Sequence, residues 1–201
     1  MVHSIVPLAV LEAIRNLDTP VEDGLAEFAD ELLSKRLGMS ATIAMQVNEY
    51  EGLVRRDATV DPTNVEALLR LVGRRPDADL VFADAGRRAA RRAAARTAGA
   101  ARWIARAGPR GLGYVVARRA ARVVLNGDLH REQDLPVARM TETLAIRATP
   151  DGAACGLFGA AFTELLRLFA NFEGSMVHVS CRGAGGAACV WRAAAPDPRH
   201  H

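Results

Sequence analysis

Residues 155–191 read CGLFGAAFTELLRLFANFEGSMVHVSCRGAGGAACVW, and this stretch decides the fold of the 201-residue chain. It holds all three cysteines of the protein, in the pattern Cys155-x22-His178-x2-Cys181-x7-Cys189. Three thiolates and one imidazole are a ligand set that tetrahedral Zn²⁺ accepts, and the short His-x2-Cys spacing keeps two ligands close together on the backbone. The pattern therefore predicts a zinc site formed by these four residues.

The predicted zinc site has a structural role. Four protein ligands fill the coordination sphere, so the ion would hold the fold and leave no position for a reactive water. Gly183, Gly185 and Gly186 supply permissive backbone for a tight turn between the last two cysteines. Two alternatives stay open: three unrelated buried thiols beside an ordinary histidine, and a disulfide, which would need an oxidising compartment.

A helix is predicted from Cys155 to Phe172, and it has one strongly aromatic face. Such a face is typical of core packing, and it also suits the wall of a ligand pocket. Cys155 stands at the helix N-terminus, where the helix dipole is expected to lower the pKa of its thiol. At about 100° per residue, the residues that share the apolar arc are Phe158, Phe162, Leu165, Phe169 and Phe172, with Glu164, Arg167 and Asn171 pointing away.

The rest of the chain is predicted to be helical up to Asn126-Gly127 and mixed afterwards. The fold class is α+β, with helices packed on an antiparallel sheet and a helical N-terminal region. We divide the chain into a helical extension over 1–60, a candidate dimerisation element, then a ligand-binding domain over 61–194 and a disordered tail over 195–201. Helices are expected over 6–17, 20–37, 61–73, 79–107 and 112–125, and strands over 137–149, 176–180 and 189–192.

Composition and charge narrow the function classes. No apolar run approaches the roughly 18 residues of a membrane span, and the N-terminus has no basic leader, so we expect a cytoplasmic protein without membrane insertion. The net charge is only +3, but eleven arginines and no acidic residue lie between Arg87 and Arg122. A nucleic-acid surface is one interpretation of this stretch. A solvated arginine face is favoured, because Lys35 is the only lysine and arginine is common throughout, so nucleic acid is not the expected partner.

The stretch 155–191 resembles the 4-vinyl reductase domain family. The resemblance rests on a cysteine that opens a helix, followed by His-x2-Cys, a glycine loop and a cysteine just before an aromatic residue. The segment DLVFADAGRRAAR, residues 79–91, is similar to the glycine-containing helix that begins the family's fold. The resemblance implies zinc ligands at Cys155, Cys181 and Cys189, and His178 would replace a fourth ligand that is often Glu in the family's sensors.

The same resemblance implies a fold similar to that of small TRAPP trafficking subunits, which pack helices against an antiparallel sheet around an apolar cavity and commonly form homodimers. Relatives include bacteriochlorophyll-biosynthesis 4-vinyl reductase proteins, hydrocarbon-binding proteins and zinc-containing phenol-sensor domains. The expected partners are therefore a small hydrophobic molecule and a second copy of the chain. The large apolar residues expected to line the cavity are Trp103, Tyr114, Phe158, Phe162, Phe169 and Met176.

Three functions remain open from sequence. The favoured one is a noncatalytic domain that binds a hydrophobic or aromatic small molecule. A tetrapyrrole-biosynthesis-associated reductase-like protein is the alternative, but the stretch AGPRGLGYVVARR has Ala107 where a dinucleotide motif needs its first glycine, and it lacks a preceding strand. A ligand-responsive transcription regulator is the second alternative, because residues 34–50 vaguely resemble a helix-turn-helix. There Ala44 replaces a larger residue, and the acidic surroundings repel phosphate.

Overall fold

The computed structural model describes residues 1–18, 41–97 and 110–194. The predicted helix over 20–37, the end of the helix predicted over 79–107, the predicted tail and Trp103 lie outside the described residues. The described chain has the predicted α+β fold class, because its helices pack on an antiparallel sheet.

Helices make up most of the described chain. The predicted helices over 6–17, 61–73 and 155–172 are confirmed to within two residues, and the second begins as predicted, with Asp61 accepting a hydrogen bond from the Thr63 N–H. No described helix is long and apolar enough to cross a membrane. The helices are α1 (Ile5–Asp18), α2 (Ala41–Arg55), α3 (Pro62–Val72), α4 (Ala78–Arg96), α5 (Arg110–Ala120, continued by a π-helical turn over Ala121–Leu125), α6 (Leu144–Ala148) and α7 (Cys155–Ala170).

A four-stranded antiparallel sheet packs against α7. Its strands follow the spatial order β3-β4-β6-β5, so the last two strands of the chain are neighbours, as predicted. In this pair His178 lies directly opposite Trp191. A separate two-stranded ribbon joins the chain start to the segment before α3. The strands are β1 (Val2–His3), β2 (Thr59–Val60), β3 (Asp128–Glu132), β4 (Leu135–Met140), β5 (Ser175–Ser180) and β6 (Cys189–Ala194).

The predicted strand over 137–149 is wrong beyond Met140. There β4 ends, and α6 follows over Leu144–Ala148. Thr143 accounts for the change, because its hydroxyl accepts a hydrogen bond from the Ala145 N–H at 3.1 Å and so caps a helix start. This local hydrogen bond from backbone to side chain favours a helix start, and it outweighs the weak alternation of apolar and polar residues that predicted a strand.

The hydrophobic core is built on three helices in contact, with α4 lying between α1 and α7. All residues from Ile5 to Ala13 are buried, and their apolar side chains belong to the same cluster as those of α4, α7 and the sheet. Glu164 was expected on the polar side of α7, but that side is covered by α4 and Glu164 is buried. Its carboxylate accepts a hydrogen bond from Arg91 Nε at 2.7 Å, which offsets the cost of burying the charge.

Acidic residues from elsewhere in the chain balance the basic stretch. The sequence between Arg87 and Arg122 contains no acid, so each partner comes from outside it. Most of the arginines of this stretch that the structure describes are therefore ion-paired. The pairs are Arg87 and Arg88 with Asp84, Arg91 with Glu164, Arg92 with Glu12, Arg96 with Asp57, and Arg118 and Arg122 with Asp128.

Gly86→Ala is expected to destabilise the fold strongly. A Cβ at this position on α4 would lie 2.2 Å from the Leu157 carbonyl oxygen and 2.8 Å from the Ala160 Cβ on α7. The two helices would have to separate, so we expect the free energy of unfolding to fall by about 3 kcal/mol in urea titrations. Gly52→Ala on α2 is the control, because its Cβ meets nothing closer than 3.9 Å and should stabilise the helix slightly. Equal stability of the two variants would contradict the close helix contact.

Candidate metal centre and ligand cleft

The four predicted metal ligands come together at one end of the sheet. Cys155 is the first residue of α7, and Cys189 is the first residue of β6. His178 lies on β5, and Cys181 follows directly after that strand. Their ligand atoms all lie within 4.8 Å of one another, although Cys155 is far from the others in sequence. The fold thus gathers the residues that the spacing pattern predicted.

The distances fit a metal ion and exclude a disulfide bond. The Sγ atoms of Cys155 and Cys189 are 3.9 Å apart, and all three cysteines are free. A disulfide requires about 2.05 Å between its sulfur atoms. In a tetrahedral site with metal–sulfur bonds of about 2.3 Å, the sulfur atoms lie about 3.8 Å apart. The arrangement therefore matches the edge of a coordination tetrahedron, and the four residues can hold a metal ion.

An irregularity in β5 lets His178 and Cys181 share one site. Residues three apart on a regular strand point to opposite faces of the sheet. Here the pairing register of β5 with β6 shifts between His178 and Ser180, which is the mark of a bulge. Immediately afterwards the chain turns back, with the N–H groups of Ala184 and Gly186 donating to the Cys181 carbonyl at 3.2 and 2.9 Å. The bulge and the turn together direct both side chains to the same point.

Neighbouring groups orient the ligands. The Arg182 N–H donates to Cys189 Sγ at 3.5 Å, a contact that stabilises a thiolate. The His178 ring stacks on Trp191, with centroids 4.8 Å apart and planes 18° from parallel. Its Nε2 atom is buried and has no hydrogen-bond partner among the described residues. Buried polar atoms are normally hydrogen-bonded, so a buried ring nitrogen without such a partner fits the role of a metal ligand.

Burial shifts the pKa values of the side chains in the cluster. It raises the pKa of the Cys155 thiol far above its usual range, and the neighbouring Cys189 and Cys181 raise it further. Desolvation therefore outweighs the lowering of this pKa that was expected from the helix dipole. Burial also raises the pKa of Cys189 and lowers that of His178. A bound cation would offset the cost of three crowded thiolates, and the neutral imidazole is already the ligating form.

The aromatic face of α7 is packed against the sheet. Phe158 and Phe162 lie beside Trp191, with ring centroids 6.3 and 5.4 Å from it. Phe169 and Met176 are also buried, and all four predicted cavity residues on α7 and β5 belong to the hydrophobic core. Their role in ligand binding stays a prediction.

Tyr114 has a different setting from the other predicted cavity residues. It lines a cleft of about 570 Å³ between α5, the β3–β4 hairpin and the C-terminal end of α7. We call this the Tyr114 cleft. Its apolar walls include Leu135, Pro136, Leu166 and Phe172. Its polar lining consists of Arg131, Asp134, Asn171 and Glu173 beside Tyr114. The size of the cleft is typical of small-molecule sites.

Sequence reasoning missed two residues of the metal centre. Trp191 packs on His178, and the signal that could have revealed it is the Cys-x-Trp spacing, which puts Cys189 and Trp191 on one face of β6. Gly152 has a φ of +84°, and a Cβ there would lie 3.0 Å from Cys181 Sγ and 3.9 Å from Cys155 Sγ. Nothing in the spacing of the ligands points to this glycine, because its importance arises only when the loop before α7 meets the turn after β5.

Comparisons with protein-family models, with curated proteins and with solved structures gave no match for this chain. The expected membership of the 4-vinyl reductase domain family therefore stays a proposal, which rests on the residues between Cys155 and Trp191. The function is argued below from the geometry of the cluster and the cleft.

Gly152→Ala is expected to weaken metal binding more than Gly185→Ala. Both glycines have a left-handed φ, near +85°, so both substitutions strain the backbone to a similar degree. Only at Gly152 does the added Cβ press on two cysteine sulfurs, since the Cβ at Gly185 meets nothing within 4 Å. Competition with a chelator should show at least a tenfold loss of metal affinity for Gly152→Ala alone. Equal losses would mean that strain, and not crowding of the sulfurs, sets the affinity.

Proposed function

We propose that this chain is a zinc-stabilised, noncatalytic domain that binds a small hydrophobic or aromatic molecule. The observation that carries the proposal is the Tyr114 hydroxyl, which is buried in the Tyr114 cleft and has no hydrogen-bond partner among the described residues. A buried hydroxyl without a partner is costly, so a ligand that accepts a hydrogen bond there would relieve the cost. The metal cluster supports the zinc part of the proposal.

The Tyr114 hydroxyl is suited to donate a hydrogen bond. The residue is only 8% exposed, and burial raises the pKa of its phenol to about 12, with Arg131 and Arg118 opposing the shift. The hydroxyl therefore keeps its proton at any physiological pH. The Arg131 guanidinium lies 4.5 Å from the ring centroid and holds the ring in place by a cation–π contact. The cleft combines this donor and the polar side chains of Arg131, Asp134, Asn171 and Glu173 with the apolar wall of Leu135, Pro136, Leu166 and Phe172. This lining favours a ligand with an apolar body and an acceptor that reaches the Tyr114 hydroxyl.

Zinc is the ion that best suits the cluster. Three thiolates and one imidazole form a soft, tetrahedral donor set, and all four positions are supplied by the protein. A zinc ion there would join the start of α7 to the β5–β6 hairpin and would act on structure alone. The homodimer, the cytoplasmic setting and the kinship with 4-vinyl reductase domains belong to the same proposal, and they rest on the sequence.

Native mass spectrometry of the purified chain tests the zinc part of the proposal. We expect one zinc ion per chain, lost on treatment with a chelator. Cys181→Ser should lower zinc content and also reduce the free energy of unfolding by about 3 kcal/mol or more, because the metal-binding energy contributes to folding. Full zinc content together with unchanged stability in Cys181→Ser would contradict the assignment, as would a native chain without metal.

Tyr114→Phe tests the ligand part independently of zinc. The probe is 2-naphthol, an aromatic molecule with one hydroxyl, and its binding is followed by its own fluorescence. Loss of one buried hydrogen bond costs about 1 kcal/mol, so we expect an affinity roughly fivefold to tenfold lower. Tyr50→Phe is the matched control, because Tyr50 lies on α2 and does not line the cleft. No saturable binding, or the same loss in both variants, would refute the Tyr114 cleft as the site while leaving the zinc result untouched.

A further inference from the structure

A second cleft, of about 500 Å³, lies on the other side of α5 from Tyr114. It is lined by Val115, Val116 and Arg119 of this helix. At about 100° per residue, these three residues lie roughly 100°, 200° and 140° around the helix axis from Tyr114. The π-helical turn after α5 adds Val123 and Val124 to the same wall. His3, Asp57 and Arg96 form the opposite, polar wall. We call this the His3 cleft.

The polar wall of the His3 cleft is built from mutually bonded groups, of which His3 is buried, Arg96 is partly exposed and Asp57 is exposed. The His3 side chain is only 5% exposed; its Nδ1 accepts a hydrogen bond from the Ile5 N–H at 3.1 Å, which assigns the proton to Nε2. That Nε2–H donates to Asp57 at 3.0 Å. Arg96 contacts the same carboxylate oxygen at 2.5 Å. Both nitrogens of His3 are therefore engaged, so the histidine has no free position for acid or base catalysis and the cleft suits binding.

One cation in the His3 cleft is not balanced. Arg118 and Arg122 reach Asp128 at 3.6 and 3.2 Å, but Arg119 has no carboxylate within ion-pair distance among the described residues. Arg96 and Asp57 cancel each other, and His3 is neutral in its hydrogen-bonded form. The cleft thus carries the net positive charge of one guanidinium.

The wall beside Arg119 is apolar and accessible. Val115 and Val123 are 60% and 61% exposed, although valine is a residue that folding usually buries. With Val116 and Val124 they form an apolar strip that continues into the cleft. An exposed apolar strip next to a guanidinium that has no carboxylate partner among the described residues is complementary to a molecule with an apolar body and a single negative group.

We propose that the His3 cleft binds a small amphipathic carboxylate, with its carboxylate on Arg119 and its apolar body along the valines of α5 and the π-helical turn. The guanidinium can hold a carboxylate through two parallel N–H donors. This site is separate from the Tyr114 cleft and from the metal centre. It requires neither zinc nor a ligand at Tyr114.

Octanoate is the probe for this proposal, titrated into the metal-loaded chain by calorimetry, with leucine and valine methyl NMR shifts to locate it. We expect saturable binding that shifts the methyl signals of Val115 and Val123. Arg119→Gln should weaken octanoate binding at least tenfold, because it removes the charge-assisted contact. Arg118→Gln is the matched control: it removes the same charge from the adjacent residue, which does not line the cleft, and should change affinity less than twofold.

The comparison ligand is 1-octanol, which has the same chain length and no charge. Weaker binding of octanol to the native chain, with no further loss in Arg119→Gln, supports the proposal. Three results would overturn it: no saturable octanoate binding, equal losses in Arg119→Gln and Arg118→Gln, or methyl shifts confined to Leu135 in the Tyr114 cleft. Thermal midpoints of both variants are measured alongside, and both should match the native chain because each arginine is exposed.

Discussion

The close approach of α4 to α7 at Gly86 is the constraint on which the rest of the structure depends. There the backbone of one helix lies against the other, since a Cβ would come within 2.2 Å of the Leu157 carbonyl oxygen. On its opposite side α7 meets the sheet at Gly159, where a Cβ would lie 3.1 Å from the Trp191 ring. A glycine at each contact sets the distance between the three layers, and close-packed interiors leave little room for either layer to move. The position of α7 in turn fixes the metal cluster at its N-terminal end and the Tyr114 cleft at its C-terminal end.

The metal cluster is continuous with the hydrophobic core. His178 stacks on Trp191, and Trp191 packs on Phe158 and Phe162. The two phenylalanines lie about one and two turns beyond Cys155 on α7. Two of the three thiols are fully buried, and burial disfavours their ionised form. A metal ion bound there would offset the cost of three thiolates, and it would also join the start of α7 to the β5–β6 hairpin.

The sequence predicted the parts of the structure that depend on local signals. The helix from Cys155, the pair β5 and β6, and the grouping of Cys155, His178, Cys181 and Cys189 follow from periodicity and ligand chemistry. The strand β3 was not predicted, because its residues DLHRE are mostly polar and its turn uses Gln133 and Asp134 with positive φ and no glycine. The acidic partners of the arginines could not be predicted either. Arg91 pairs with Glu164 and Arg92 with Glu12, and the residues of each pair are more than 70 positions apart in the sequence. Contacts between residues so far apart in the sequence are not indicated by residue periodicity or by motif spacing.

The location of the two clefts differs from the location that the sequence predicted. The aromatic periodicity of α7 suggested that this helix forms the wall of a ligand pocket. In the structure the aromatic side chains of α7 fill the core, and both clefts lie along α5. This helix exposes Val115 on one side, and on the other it buries the Tyr114 hydroxyl, which has no hydrogen-bond partner in the part of the chain that the structure describes. The four candidate metal ligands lie at the other end of α7, where Cys155 is about 16 Å along the helix from Leu166 in the Tyr114 cleft. In the proposed function the ion therefore cannot touch a ligand, and it serves binding only by keeping rigid the helix and the sheet against which α5 packs.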